Sequence, residues 1–271
     1  MASRMVPQNF IRVNGEITLR QMAYGANFTG FKTAVKEAVA RPREMGLTLA
    51  EYLTRFVGNK HVIVKDTHGR VEHIEFLMLL VNTLQSSHKT LFFEPLVEGC
   101  QNSPETQISK FFSSFGKSVI QSYTDGYNAI NKVINVLPGD FPDAQPGAYP
   151  NLRDYNRVRY AINRRIGEKI KLSATPIIAF YGKEHCVCRP NNWAKGIPDY
   201  LDPDTFVVLE FIKHPLPRYS HDSKRCKMVD IALDHSLGNQ VSTEPIVIHS
   251  GLEIDWPDLF IVQHRDDMVY A

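Results

Sequence analysis

Thirteen residues near the middle of the chain, PGDFPDAQPGAYP from Pro138 to Pro150, constrain the fold most, because they hold four prolines and two glycines. Each proline fixes φ and lacks the N–H that a helix or a sheet ladder needs. The spacing predicts a linker or a long ordered loop. It divides the 271 residues into a mainly helical region 1–137, the proline-rich segment 138–150, and a region 151–271 that opens on a basic helix. A chain of this length can bury a full core as one large domain or two modest ones.

Upstream of the prolines, helix signals dominate. Phe31, Ala34, Val35, Ala38 and Val39 recur at helical spacing behind Asn27. Thr48-Leu49-Ala50-Glu51 has the form of a capping box and opens a helix to Val57. Ser103-Pro104-Glu105 is a second helix start, with proline at the first helical position. Thr124 is placed to cap a helix carrying Ala129, Ile130, Val133, Ile134 and Leu137. His61–Lys65 and Thr90–Phe93 read as strands and Asp66-Thr67-His68-Gly69 as a turn, while the length of Glu72–Leu84 favours helix. Beyond residue 150 the pattern changes. Thr175–Tyr181, His185–Cys188, Thr205–Lys213, Lys227–Leu233, Pro245–His249 and Leu259–His264 read as short strands separated by turn residues. The expected class is α+β: a helix-rich N-terminal half followed by a mostly antiparallel, sandwich-like C-terminal half.

Charge concentrates at the junction. Asn151–Lys171 carries seven Arg and Lys against two acids, whereas the whole chain is only +2. At about 100° per residue, Arg153, Arg157, Arg164 and Lys171 share one edge of a helix. Leu152, Tyr155, Ile162, Ile166 and Ile170 fall on a separate arc, which Arg159 interrupts, and Gly167 is a candidate helix end. A cationic edge of this kind suits a phosphate backbone or a neighbouring subunit.

Three motifs approach known chemistry. Gly25–Thr33 resembles a P-loop, but Phe31 separates the second glycine from Lys32 and turns the lysine out of register. Cys186, Cys188, His221 and Cys226 offer the thiolate and imidazole donors of a zinc site, without standard knuckle spacing. Pro198-Asp199 followed by Glu210-Phe211-Ile212-Lys213 resembles the PD-(D/E)xK nuclease family. That resemblance implies metal-binding acids at Asp199 and Glu210, a water-positioning Lys213 and an assisting Glu168. Glu210 and Lys213 stand three apart instead of two, which puts them on opposite faces of a strand unless a bulge intervenes.

The four cysteines make no disulfide framework, the N-terminus has no apolar signal segment, and FLMLLV is the longest apolar run. These features predict an intracellular, cytoplasmic protein with no membrane partner and no cofactor. With no intact catalytic motif, the expectation is a non-enzymatic structural or assembly protein of the coat, nucleocapsid or occlusion kind. It would form a homo-oligomer and could contact nucleic acid through the basic helix. The alternatives are a metal-dependent nuclease using Asp199, Glu210 and Lys213, and a zinc-stabilised binding module.

Overall fold

The computed structural model describes residues 12–14, 42–44, 47–141, 152–186, 195–214, 230, 233, 245–249 and 258–264, and the backbone alone at 12–14, 42–44, 152–157 and 264. The chain divides into two compact units, one of residues 54–208 and one of 1–53 with 209–271.

Elements follow in chain order: β1 Arg12–Asn14, β2 Pro42–Glu44, α1 Leu49–Val57, β3 His61–Asp66, α2 Val71–Leu84, β4 Thr90–Val97, α3 Pro104–Phe111, α4 Lys117–Ile130, β5 Asn135–Asp140, α5 Leu152–Lys171, β6 Ile177–Gly182, β7 Phe206–His214, β8 Ile246–His249 and β9 Leu259–His264. The helix starts upstream arise from local chemistry. At α1, the Thr48 hydroxyl accepts the Glu51 N–H and the Glu51 carboxylate accepts the Thr48 N–H at 2.7 Å, the reciprocal pair of a capping box. At α3, Ser103 Oγ accepts the Thr106 N–H.

The unit of residues 54–208 is built on four parallel strands in the order β3-β6-β4-β5. β3, β6 and most of β4 are apolar without alternation and are buried on both faces. That pattern is expected of a parallel sheet covered by helices on each side. α5 is one such cover. Ile162, Ile166 and Ile170 project from it into a core shared with Ile63, Phe92, Ile177, Ala179 and Tyr181. Each isoleucine contributes roughly 2 kcal/mol by burial. In the unit of 1–53 with 209–271, the strand order is β2-β1-β8-β9-β7. β1–β8 and β7–β9 are parallel there, and β1–β2 and β8–β9 antiparallel.

The fold mixes helices and a mainly parallel sheet. The expected antiparallel, sandwich-like C-terminal half is therefore corrected. β6 does not pair with its sequence neighbours through hairpins; it inserts between β3 and β4 from the other side of the proline-rich segment. Further differences are local. Thr124 lies inside α4, whose N-cap is Gly116, and Leu137 belongs to β5. The proline-rich segment begins inside β5, where Pro138 sits in a strand that, among the described residues, has a neighbour on one side only. Gly167 does not end α5: a Cβ there would come within 2.6 Å of Tyr200 Cβ, so the glycine seats the turn Ile197–Tyr200 against the helix. Asp230 and Leu233, expected in a strand, are helical. His185 and Cys186 lie in the turn after β6. The helix expected at 27–41 lies outside the described residues. Among those described, no helix is long and apolar enough to cross a membrane.

Candidate active site

In a parallel sheet flanked by helices, ligands meet the protein at the carboxyl ends of the strands. Two strands here end in acids at that edge, and two more bring a glycine and a glutamate to it. Asp66 closes β3, Gly182 closes β6 in register with it, and Asp140 closes β5. Glu94 stands inside β4 where the register with β5 shifts between Phe93 and Val97. Such a bulge turns a side chain away from the regular pleat.

Asp66 is buried and organises the first half of the cluster. Its Oδ2 accepts a hydrogen bond from His68 Nδ1 at 2.8 Å. Its Oδ1 accepts one from the Tyr123 hydroxyl at 3.0 Å and lies 3.2 Å from His73 Nδ1. With Nδ1 held in this way, His68 presents Nε2 toward Glu94 Oε2 at 3.7 Å. That is too long for a hydrogen bond. The imidazole ring is steadied edge-on by Phe111 and Phe112. About a third of the His68 side chain meets solvent, against a tenth of Glu94 and a tenth of His185. His68 is the member that an incoming molecule reaches first.

The second half converges on Glu94. Gly182 N–H donates to Glu94 Oε2 at 2.5 Å, and His185 Nε2 lies 3.3 Å from Glu94 Oε1. His185 is itself oriented from α5. Asn163 Nδ2 donates to the Lys195 carbonyl at 2.8 Å, which leaves Asn163 Oδ1 to accept from His185 Nδ1 at 2.6 Å. Both imidazoles thus spend Nδ1 on a fixed acceptor and aim Nε2 at one carboxylate. A supporting acceptor of this kind sets the tautomer and the ring orientation of a working histidine.

The electrostatics follow from this geometry. Burial alone would lower the His68 pKa, but Glu94 and Asp66 outweigh it and raise the pKa to about 9. Burial would raise the Asp66 carboxyl, yet the hydrogen bond from His68 and the imidazoles of His68 and His73 close beside it bring it down to about 2. Glu94 is likewise held below its ordinary value: burial opposes this, and His68, His185 and the Gly182 N–H prevail. At neutral pH the edge therefore presents an imidazolium beside a carboxylate. A proton donor and a proton acceptor face one spot without neutralising each other. Asp140 departs the other way, pushed up to about 7 by burial and by the nearby Glu94 charge.

The turn that carries His68 depends on Gly69. Its φ is +86°, and a Cβ would sit 2.2 Å from the Phe115 ring. Gly69→Ala is expected to lower unfolding stability by about 2 kcal/mol through strain and overpacking. Chemical denaturation compared with wild type checks this.

The residues singled out in sequence fall elsewhere. Asp199 caps its own turn, its Oδ2 accepting the Gly196 N–H at 2.8 Å. Glu210 is buried on β7, and the β7–β9 register runs unbroken from Leu209 to His214, so Glu210 and Lys213 point to opposite faces. Glu168, the assisting acid, pairs with Arg164 at 2.8 Å. On the cationic edge, Lys171 meets Asp202 at 3.1 Å. The neighbouring Arg165 and Lys169 both engage Glu98. The side chains of Arg153 and Arg157 lie outside the described residues. So do Cys188, His221 and Cys226, while Cys186 is buried with Sγ near the Tyr181 and Val64 carbonyls. Among the described residues, no group of three His, Cys, Asp or Glu is arranged to hold a metal ion. Reading by local motif missed the Asp66–His68–Glu94–His185 cluster, because its members lie on separate strands. The available signal was polar residues at the ends of apolar runs: Asp66 after HVIVK, Glu94 inside TLFFEPLV and His185 just past IIAFYG.

No family model and no curated protein matches the chain. Among solved structures, it is similar to ChaN of Campylobacter jejuni, seen with cofacially bound heme, at 12% identity and a TM-score of 0.41, covering 66% of this chain and 91% of that one. It is similar to the type III effector HopBA1 at 12% identity and a TM-score of 0.42, covering 91% and 97%. It is also similar to a structure described as bacterial protein toxins at 13% identity and a TM-score of 0.43, covering 89% of this chain and 43% of that one. Likeness this slight transfers no chemistry from those proteins to this one.

Proposed function

We propose that the protein is a hydrolytic enzyme whose acid–base pair is His68 and Glu94. The observation that supports this most is the His68 imidazolium held, partly exposed, between two buried carboxylates at the carboxyl edge of a parallel sheet. Burying ionisable groups costs several kcal/mol each, and a fully apolar edge would be at least as stable. Such clusters, with their pKa values pushed apart, are the hallmark of sites that move protons.

The roles follow from position. A water set against Glu94 gives a proton to the carboxylate as its oxygen bonds to the electrophilic centre. The bond to the leaving oxygen or nitrogen breaks as His68 Nε2 delivers its proton there. Glu94 then returns a proton to solvent and His68 regains one, so protons and charge balance over the cycle. Asp66 keeps the imidazole charged and correctly turned. His185, fixed by Asn163, and the Gly182 N–H hold Glu94 in place.

A self-assembling structural role with nucleic acid on the basic helix is the competing proposal. The described cations Arg164, Arg165, Lys169 and Lys171 already face Glu168, Glu98 and Asp202, so the helix has less charge to offer phosphate than its sequence suggests. One experiment separates the two. The protein, its His68→Gln variant and a nuclease-treated sample are assayed against chromogenic esters, amides and phosphodiesters, with light scattering in parallel. The enzymatic reading expects turnover that His68→Gln abolishes. Turnover indifferent to His68→Gln would overturn it. So would absence of turnover in a particle that carries nucleic acid.

A further inference from the structure

Asn163 is fully buried on α5, in the stretch of helix whose isoleucines enter the core. A leucine at that point would add to the core, whereas a buried amide costs free energy unless its polar atoms are met. They are met in one arrangement only. The Lys195 carbonyl can only accept, so the Asn163 amide nitrogen faces it, at 2.8 Å. The Asn163 oxygen is left to face His185 Nδ1 at 2.6 Å. An amide oxygen also can only accept, so Nδ1 must carry a proton. The segment that presents the Lys195 carbonyl is held in turn. Gly196 N–H donates to Asp199 Oδ2 at 2.8 Å, and the turn Ile197–Tyr200 lies against Gly167, four residues along α5 from Asn163.

The other end of the His185 ring meets Glu94. The His185 backbone is pinned on both sides: its N–H donates to the Gly182 carbonyl at 2.9 Å, and its carbonyl accepts the Ile197 N–H at 2.8 Å. The ring cannot turn over without losing Asn163, so Nε2 stays 3.3 Å from Glu94 Oε1. With Nδ1 already protonated, a bare Nε2 would set a lone pair against a carboxylate oxygen. A proton between Nε2 and Oε1 removes that repulsion, whichever of the two atoms holds it. Oε1 is thereby occupied. Oε2 accepts the Gly182 N–H at 2.5 Å and faces His68 Nε2 at 3.7 Å. The two oxygens of Glu94 thus have different surroundings, and only Oε2 lies toward the partly exposed His68.

We propose that Asn163 is a positioning residue: by fixing a proton on His185 Nδ1 it retains a second one between His185 Nε2 and Glu94 Oε1, and so confines proton uptake to Glu94 Oε2. The inference rests on the hydrolytic reading of the site. In that reaction the water O–H bond breaks, its proton bonds to Oε2, and the water oxygen bonds to the electrophilic centre. Oε1 keeps its proton-bearing contact with His185 throughout. Without Asn163, the ring is free to adopt the other neutral form, with its single proton on Nε2, and the pair holds one proton fewer. Glu94 then draws on the proton of His68 Nε2, 3.7 Å away. That transfer removes the proton donor and the proton acceptor of the reaction together.

The test reads the His185 ring directly. NMR of protein with isotopically labelled histidine nitrogens reports which ring nitrogens carry protons at pH 7, the His185 signals being assigned by their absence in His185→Gln. Wild type should show a protonated Nδ1. Asn163→Leu should show Nδ1 bare and the proton on Nε2. Asn163→Asp, which keeps an acceptor at the same point, should restore the protonated Nδ1. In steady-state kinetics Asn163→Leu should lower kcat on the order of ten- to a hundredfold with KM little changed, and Asn163→Asp should recover most of the loss. Circular dichroism checks folding. A bare Nδ1 in wild type overturns the proposal, and that measurement needs no variant. So does an Asn163→Leu protein with wild-type kcat, or an Asn163→Asp protein that regains the Nδ1 proton without regaining turnover. If wild type turns over no substrate, the hydrolytic reading fails. The Nδ1 signals of wild type and Asn163→Leu still decide whether Asn163 sets the ring.

Discussion

Glu94→Gln is expected to abolish most turnover, by 10²- to 10⁴-fold at neutral pH, while the protein stays folded. Glutamine matches glutamate in shape, and its amide oxygen can still accept the Gly182 N–H that now meets Glu94 Oε2. What it loses is the negative charge between two imidazoles and the capacity to take a proton. Because the carboxylate stabilises the charged form of His68, the variant also lowers the His68 pKa, so proton donor and proton acceptor weaken together. Steady-state kinetics with circular dichroism as a folding control measure this. A loss confined to KM would mean that Glu94 binds substrate without taking part in proton transfer.

Asp66→Asn is expected to have the largest effect on stability, about 3 kcal/mol at pH 7, because it removes one partner of a buried charged cluster. The folded Asp66 carboxyl lies near 2, below its unfolded value near 4, so its contribution is present above pH 4 and is lost as pH falls through about 2. The folded His68 lies near 9, above its unfolded value of 6.5, so its contribution is full below pH 6.5 and is lost as pH rises through about 9. Wild type should therefore lose stability at both ends, and Asp66→Asn should flatten both. A third component should survive the substitution. Burial holds His61 and His88 below the ordinary histidine range, so their contribution is lost as pH falls beneath 6.5 in either protein. Urea unfolding at intervals from pH 3 to 10 separates the three.

Much of the local structure was legible in sequence, because it is decided by residues close together. The capping box at Thr48 and Glu51, the proline start at Ser103-Pro104, and the apolar runs of β3, β6, β7, β8 and β9 all form where their chemistry places them. The three isoleucines of the basic helix face the core as their spacing requires. Strand direction was not legible, since an apolar run of six residues carries no mark of its neighbour. β6 meets β3 across more than a hundred residues of chain, and only the assembled core decides that pairing. Pro138 argued against a strand because it cannot donate to a ladder, but among the described residues β5 is flanked on one side only and tolerates the loss.

The candidate site failed to show for the same reason. Asp66 and His68 read as turn residues, His185 as the start of a short strand, and Glu94 lies just past the strand expected at Thr90–Phe93. None carries meaning until β3, β4 and β6 are laid side by side. The basic helix, which drew attention by charge, has a different part here: its buried Asn163 orients His185, and among the described residues Arg164, Arg165, Lys169 and Lys171 are met by acids.

Two carboxylates hold His68 as a proton donor at physiological pH. Titration of the His68 ring by NMR tests it most directly. The expected result is an imidazole that stays protonated through pH 7 with a midpoint near 9, moving down toward 6.5 in Asp66→Asn and in Glu94→Gln. A wild-type midpoint near 6.5, unmoved by either substitution, would contradict it.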